Sequence, residues 1–91
     1  MKHKYTLPKK WIDKVSSFEE FANGGAQVTI RTKDGKVFEK ILLSNSSAII
    51  AMRGNDDLPF SIEDIAEIFQ SDEDRNPKER DNWKFWDSWR P

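Results

Sequence analysis

The chain has 91 residues, 34% of them charged and 36% hydrophobic, with a formal net charge of −1 and no cysteine. That size fits one domain with a thin core, and the missing thiols exclude disulfides and thiolate metal sites, a usage that suits a cytoplasmic protein. No apolar h-region opens the chain and "AIIAM" is too short to span a bilayer, so neither a secretory leader nor a membrane partner is expected.

The charges are segregated. Residues 1–14 carry five lysines and one aspartate, whereas residues 53–74 carry one arginine and eight acids. A nucleic-acid binder concentrates base on its binding face, so this arrangement reads first as a solvated surface of two signs.

Residues 1–25 are expected to form a basic, mobile lead-in and a helix. In "PKKWIDKVSSFEEFANGG", Trp11, Ile12, Val15, Phe18 and Ala22 recur at helical spacing. Pro8 suits the first turn, and Gly24 and Gly25 supply a stop. Ser17 and Glu20 also fit a capping box, which allows a second helix starting at Phe18.

Residues 26–69 read as strands. "AQVTIRT" alternates apolar and polar residues, the signature of a half-buried strand. Asp34-Gly35 predicts a two-residue hairpin turn with positive φ at both positions, returning through "KVFEKILL". "SNSS" is turn chemistry, "AIIAM" a third strand, "RGNDD" another turn, and "LPF" a short strand or edge. "SIEDIAEIF" fits either a helix or a single 3₁₀ turn running into a last short strand, and the second is preferred.

Residues 70–91 are a charged linker and a tryptophan-rich end. Asn76, Pro77 and Glu79 have the layout of a helix start. A helix from Pro77 would put Trp83, Phe85, Trp86 and Trp89 on one broad apolar face. The predicted fold is therefore mainly β with flanking helices: a small five-stranded closed barrel, an N-terminal α-helix and an aromatic tail. Closure would protect the strand edges.

The helix, then "VTIRTKDGKVFEKILLSNSSAIIAMRG", then "LPFSIEDIAEI" resembles the Sm-like and SH3-like small β-barrels over about residues 9–69. The Sm-like resemblance implies ring assembly and binding of single-stranded RNA. Arg53-Gly54-Asn55 looks like that family's Arg-Gly element, and Lys40 stands near the place of a glycine often found in its second strand. Arg31, Lys33, Lys36, Arg53 and the N-terminal lysines are the phosphate contacts on this reading. Asp56 and Asp57 beside Arg53 oppose phosphate, which places RNA second.

Catalysis is not expected. The single histidine is His3, at an end where an imidazole lacks held geometry. No nucleophile, phosphate-loop or dinucleotide motif occurs, and Glu63 with Glu67 carries no sign of a pocket that would make an acid/base pair. "GNDD" does not match a calcium loop, so neither metal nor cofactor is expected. The leading expectation is a non-enzymatic interaction module that binds a protein partner or itself. Its contacts would be Trp83, Phe85, Trp86 and Trp89, with Asp56 and Asp57 steering a basic partner.

Overall fold

The computed structural model describes residues 4–22 and 24–86. Five antiparallel strands form one curled, half-barrel sheet in the order β1-β4-β3-β2-β5, with two short helices. They are β1 (Tyr5–Thr6), α1 (Lys9–Val15), β2 (Gly25–Thr32), β3 (Val37–Ser44), β4 (Ala48–Met52), β5 (Ile65–Phe69) and α2 (Asp72–Arg75). A 3₁₀ turn over Ile62–Asp64 leads into β5, the alternative preferred from Ile65, Ile68 and Phe69 over a helix.

Residues 5–7 are not part of a mobile lead-in. Tyr5 and Thr6 pair with Ile49 and Ala48 at the edge of β4, and Leu7 behind them is buried. The helix is shorter than its apolar spacing predicts. It is capped by Pro8 and ends at Val15, so proline sits one position before the first turn. The Phe18–Ala22 stretch is not helical. It folds into a tight turn, with Phe21 donating to the Gly25 carbonyl and Gly25 to that of Ala22. Gly24 takes φ +79° in this turn, and a Cβ there would lie 2.6 Å from Asn45 Oδ1. It is required by the entry into β2 rather than by a helix end.

The β2–β3 connection also differs from the two-residue turn. Of its central pair only Gly35 has positive φ, at +87°. The loop spans four residues, closed by Thr32 N–H donating to the Lys36 carbonyl at 2.9 Å. The double positive-φ turn lies instead between β3 and β4, at Asn45 (φ +51°) and Ser46 (φ +58°). "LPF" forms no strand, because residues 58–60 lie in the loop from β4 to the 3₁₀ turn.

Three register shifts bend the ladder: at Val28/Ile30 against β3, at Arg31/Thr32 against β5 and at Leu42/Leu43 against β4. Such bulges curl a sheet, which lets β5 return to pair with β2. At the first bulge Lys40 adopts φ +57°, and its carbonyl accepts from Arg53 N–H at 3.0 Å. A side chain pays about 1–2 kcal/mol for that conformation. Lys40→Gly is expected to hold or raise the urea midpoint, whereas Lys40→Val should lower stability by about 1–2 kcal/mol. Equal midpoints for the two variants would show that the bend relaxes.

The interior holds Val15, Val28, Ile30, Ile41, Leu43, Ile49, Ile65 and Ile68, with Trp11, Ile12 and Phe18 of the helical arm packed over them. The outer face of β3 and β4 is apolar as well. Leu42, Ala48, Ile50 and Ala51 form a second cluster, which Phe21 and Trp83 cover. This second layer explains why "ILL" and "AII" are apolar on consecutive positions rather than alternating.

The predicted helix from Pro77 does not form. Helix α2 starts five residues earlier, where Ser71 and Asp74 make a reciprocal capping box. Pro77 is buried and residues 77–86 run without regular secondary structure. Trp89 lies outside the described residues.

Candidate functional site

One arginine straps the tail to the sheet. The Arg53 guanidinium donates to the carbonyls of Asn82 (3.1 Å), Glu79 (3.4 Å) and Asp81 (2.6 Å), and pairs with the Glu79 carboxylate at 3.0 Å. It also lies 3.9 Å from the centre of the Trp83 ring. Trp83 also stacks near Phe21, with centroids 6.4 Å apart and planes at 27°. Trp86 donates from its main chain to the Ile50 carbonyl (2.9 Å) and from its indole to that of Asn55 (3.1 Å). Its ring meets Tyr5 edge-on at 5.7 Å.

The predicted partner surface therefore divides. Trp83 and Trp86 face different apolar clusters of their own chain, whereas Phe85 is 51% exposed. Asp56 pairs with Lys84 at 2.6 Å. Asp57 accepts from Tyr5 Oη at 2.5 Å, from Lys4 Nζ at 3.2 Å and from Leu58 N–H at 2.8 Å. The two aspartates thus tie Lys84 and the Lys4–Tyr5 segment to the loop after β4.

The bond from Tyr5 is the main reason that the Asp57 carboxyl is held below its usual range, and the same bond raises the Tyr5 phenol. For a depressed carboxyl, the stabilising contribution is present above the unfolded pKa and fades as pH falls through the folded one. For the raised phenol it is present below the unfolded pKa and fades as pH rises through the folded one. Tyr5 is the only tyrosine, so tyrosinate absorbance reports it alone. Its titration should lie above that of a free tyrosine and return toward it in Asp57→Asn; an unchanged midpoint in the variant would refute the link.

The proposed phosphate contacts are not brought together. Arg31 pairs with Glu67 at 2.9 Å, which also occupies one of the two carboxylates weighed as an acid/base pair. Arg53 serves the tail. Lys33 and Lys36 stay exposed and meet at another feature, a groove of about 270 Å³. The β2–β3 loop supplies Thr32, Lys33, Asp34 and Lys36 to it, β3 supplies Phe38, and the loop and 3₁₀ turn before β5 supply Pro59, Phe60 and Asp64.

Phe38 and Phe60 form the groove's apolar floor, with centroids 4.8 Å apart and planes at 39°. Both are half-buried, and Val37 beside them is 51% exposed. Asp34 accepts from the Thr32 hydroxyl and from Lys36 N–H, which holds its carboxyl below the usual range, the Thr32 bond contributing most. The groove thus sets two lysines against two aspartates around a pair of rings. Phe38 and Phe60 also pack against the inner core, where sequence reading assigns them. The signal for a surface role is "LPF", an apolar-proline-aromatic triplet that forms no strand and follows an acidic turn.

Among the described residues no three histidine or acidic side chains gather where they could hold a metal ion, and no helix is long and apolar enough to cross a membrane. Neither protein-family models nor curated proteins nor solved structures give a match to this chain.

Proposed function

We propose that the protein is a non-enzymatic interaction module that binds a protein partner through the Phe38–Phe60 groove, on an SH3- or Sm-like small barrel. The scaffold reading is supported by the β2-β3-β4 meander, the return of β5 onto β2 behind a 3₁₀ turn, and the left-handed Lys40 at the bend of β3.

One observation carries the binding reading. Trp83, Trp86, Asp56 and Asp57 are occupied within the chain, while Phe38 and Phe60, half-buried against the core, line the groove with Pro59 between charges of both signs, and Val37 is exposed beside it. A pocket of aromatic floor and charged rim suits an apolar side chain on a partner segment, with Lys33, Lys36, Asp34 and Asp64 fixing its register. Phe85 remains as a further exposed ring on the tail.

RNA is the second reading, because two lysines beside half-buried rings also suit stacking of bases near phosphate. Capture from native lysate with full-length protein, Val37→Asp and Lys33→Glu separates them. A protein retained by the native chain and lost with Val37→Asp, at unchanged circular dichroism, supports the module. Oligo-A or oligo-U retained on filters at low salt, lost steeply with added salt and lost with Lys33→Glu, would replace it with the RNA reading.

A further inference from the structure

A cavity of about 240 Å³ lies between the sheet, α2 and the tail. Strand β2 supplies Gln27 to it, β3 Lys40, the turn after β4 Arg53, α2 Glu73, and the tail Lys78 and Glu79. Its charges are unequally engaged. Glu73 accepts from Lys78 N–H at 3.0 Å, and Glu79 pairs with Arg53 at 3.0 Å. The ammonium groups of Lys40 and Lys78 have no carboxylate partner among the described residues. Arg53 adds a third positive charge, although its hydrogen bonds go to the tail.

Lys40 is also the strained residue at the bend of β3, at φ +57°. Glycine would hold that bend at less cost, so the strain is borne by a residue whose charged end stays unpaired beside a cavity. Strain placed in this way marks ligand sites. Gln27 supplies an independent sign. It is 2% exposed, and its Nε2 donates to Asp74 Oδ1 at 2.8 Å. The carboxylate fixes which end of the amide faces it, because an amide oxygen there would meet a second oxygen. The carboxamide oxygen is left with no donor among the described residues. An open acceptor on a buried side chain, beside two unpaired ammonium groups, calls for a ligand that is anionic at one end and a donor at the other.

We infer that this cavity binds a small, soluble phosphate monoester that carries a hydroxyl group. The phosphate takes charge-assisted bonds from Lys40 and Lys78, and the hydroxyl donates to Gln27 Oε1. The volume suits a ligand of a few carbons. The cavity shares no residue with the Phe38–Phe60 groove, so either proposal stands if the other fails.

Glycerol 3-phosphate added to the full chain and followed by NMR tests it. The expected result is saturable shifts at Lys40, Lys78 and the Gln27 carboxamide, with none from glycerol. Propyl phosphate, which lacks the hydroxyls, should bind about fivefold more weakly. Lys40→Gly and Lys78→Gln should each weaken binding about tenfold without lowering the urea midpoint. Binding that survives both substitutions overturns the proposal, as does propyl phosphate that binds equally well or a titration that never saturates. Retention on phosphatidic acid vesicles without binding of glycerol 3-phosphate overturns it in favour of a membrane surface.

Discussion

Asp74→Ala is expected to lower the unfolding free energy by about 3 kcal/mol, a large part of the roughly 5–15 kcal/mol available to a domain. Asp74 is 2% exposed. One carboxylate oxygen accepts from Gln27 Nε2 at 2.8 Å, and the other from Thr29 Oγ1 at 2.7 Å and Ser71 N–H at 3.0 Å. The carboxylate joins helix α2 to two positions of β2 and closes the capping box. Alanine would leave three donors short of a partner in or near the interior. Asp74→Asn keeps an oxygen for Thr29 and Ser71, and the Gln27 amide can turn to accept from the new NH₂ group. Its loss should be less than that of alanine. Urea midpoints in the order native, Asn, Ala check the argument; a native-like midpoint for Asp74→Ala would refute it.

Trp86→Ala should cost about 2–3 kcal/mol, near the lower limit for aromatic-to-alanine changes because the ring is only partly buried. The ring packs on the inner core beside Tyr5, and its indole N–H satisfies the Asn55 carbonyl. Trp86→Phe retains most of the apolar contact and loses the hydrogen bond, so it should cost about 1 kcal/mol. Phe85→Ala is the control. That ring is 51% exposed, and its removal should move the thermal midpoint little. If Phe85→Ala destabilises as much as Trp86→Ala, the tail has another arrangement in solution.

The strands that were legible in the sequence are those whose signal is local. Val28 and Ile30 mark β2, although Gln27, Thr29 and Thr32 between and beside them are buried too rather than solvent-facing, and Ile65, Ile68 and Phe69 mark the turn into β5. The outer apolar cluster was harder to see, because Leu42 and Ile50 face a cover that comes from the far end of the chain. Strand β1 has two residues, too few to show a period. Helix α2 was read as charged linker because its value lies in Asp74, whose partners Gln27 and Thr29 are distant in sequence.

The tail was misread for a related reason. Helical spacing of Trp83 and Trp86 assumes that they share one surface, but they pack on opposite layers of the sheet. Asn76 does not open a helix; it closes α2, and its side chain accepts from Arg80. Asp56 and Asp57 gave no local sign that their partners would be Lys84, Lys4 and Tyr5. The groove was not legible in the sequence. Lys33, Lys36, Phe38 and Phe60 were visible, but the close approach of the β2–β3 loop and the segment before β5 depends on the curl of the sheet.

The pairing of Tyr5 and Thr6 with β4, and of Trp86 with Ile50 on the same strand, bears on the order of folding. The β2-β3-β4 meander joins neighbours in sequence and can form early, at little loop-closure cost. The β4 edge is finished only when segments from near both limits of the described chain arrive beside it. Until then a growing chain displays Ile49 and Ile50 on an unfinished strand, the kind of surface that invites association. The interval between formation of the meander and arrival of Trp86 is therefore the period of greatest exposure to aggregation, and the rate of that last step decides how long it lasts.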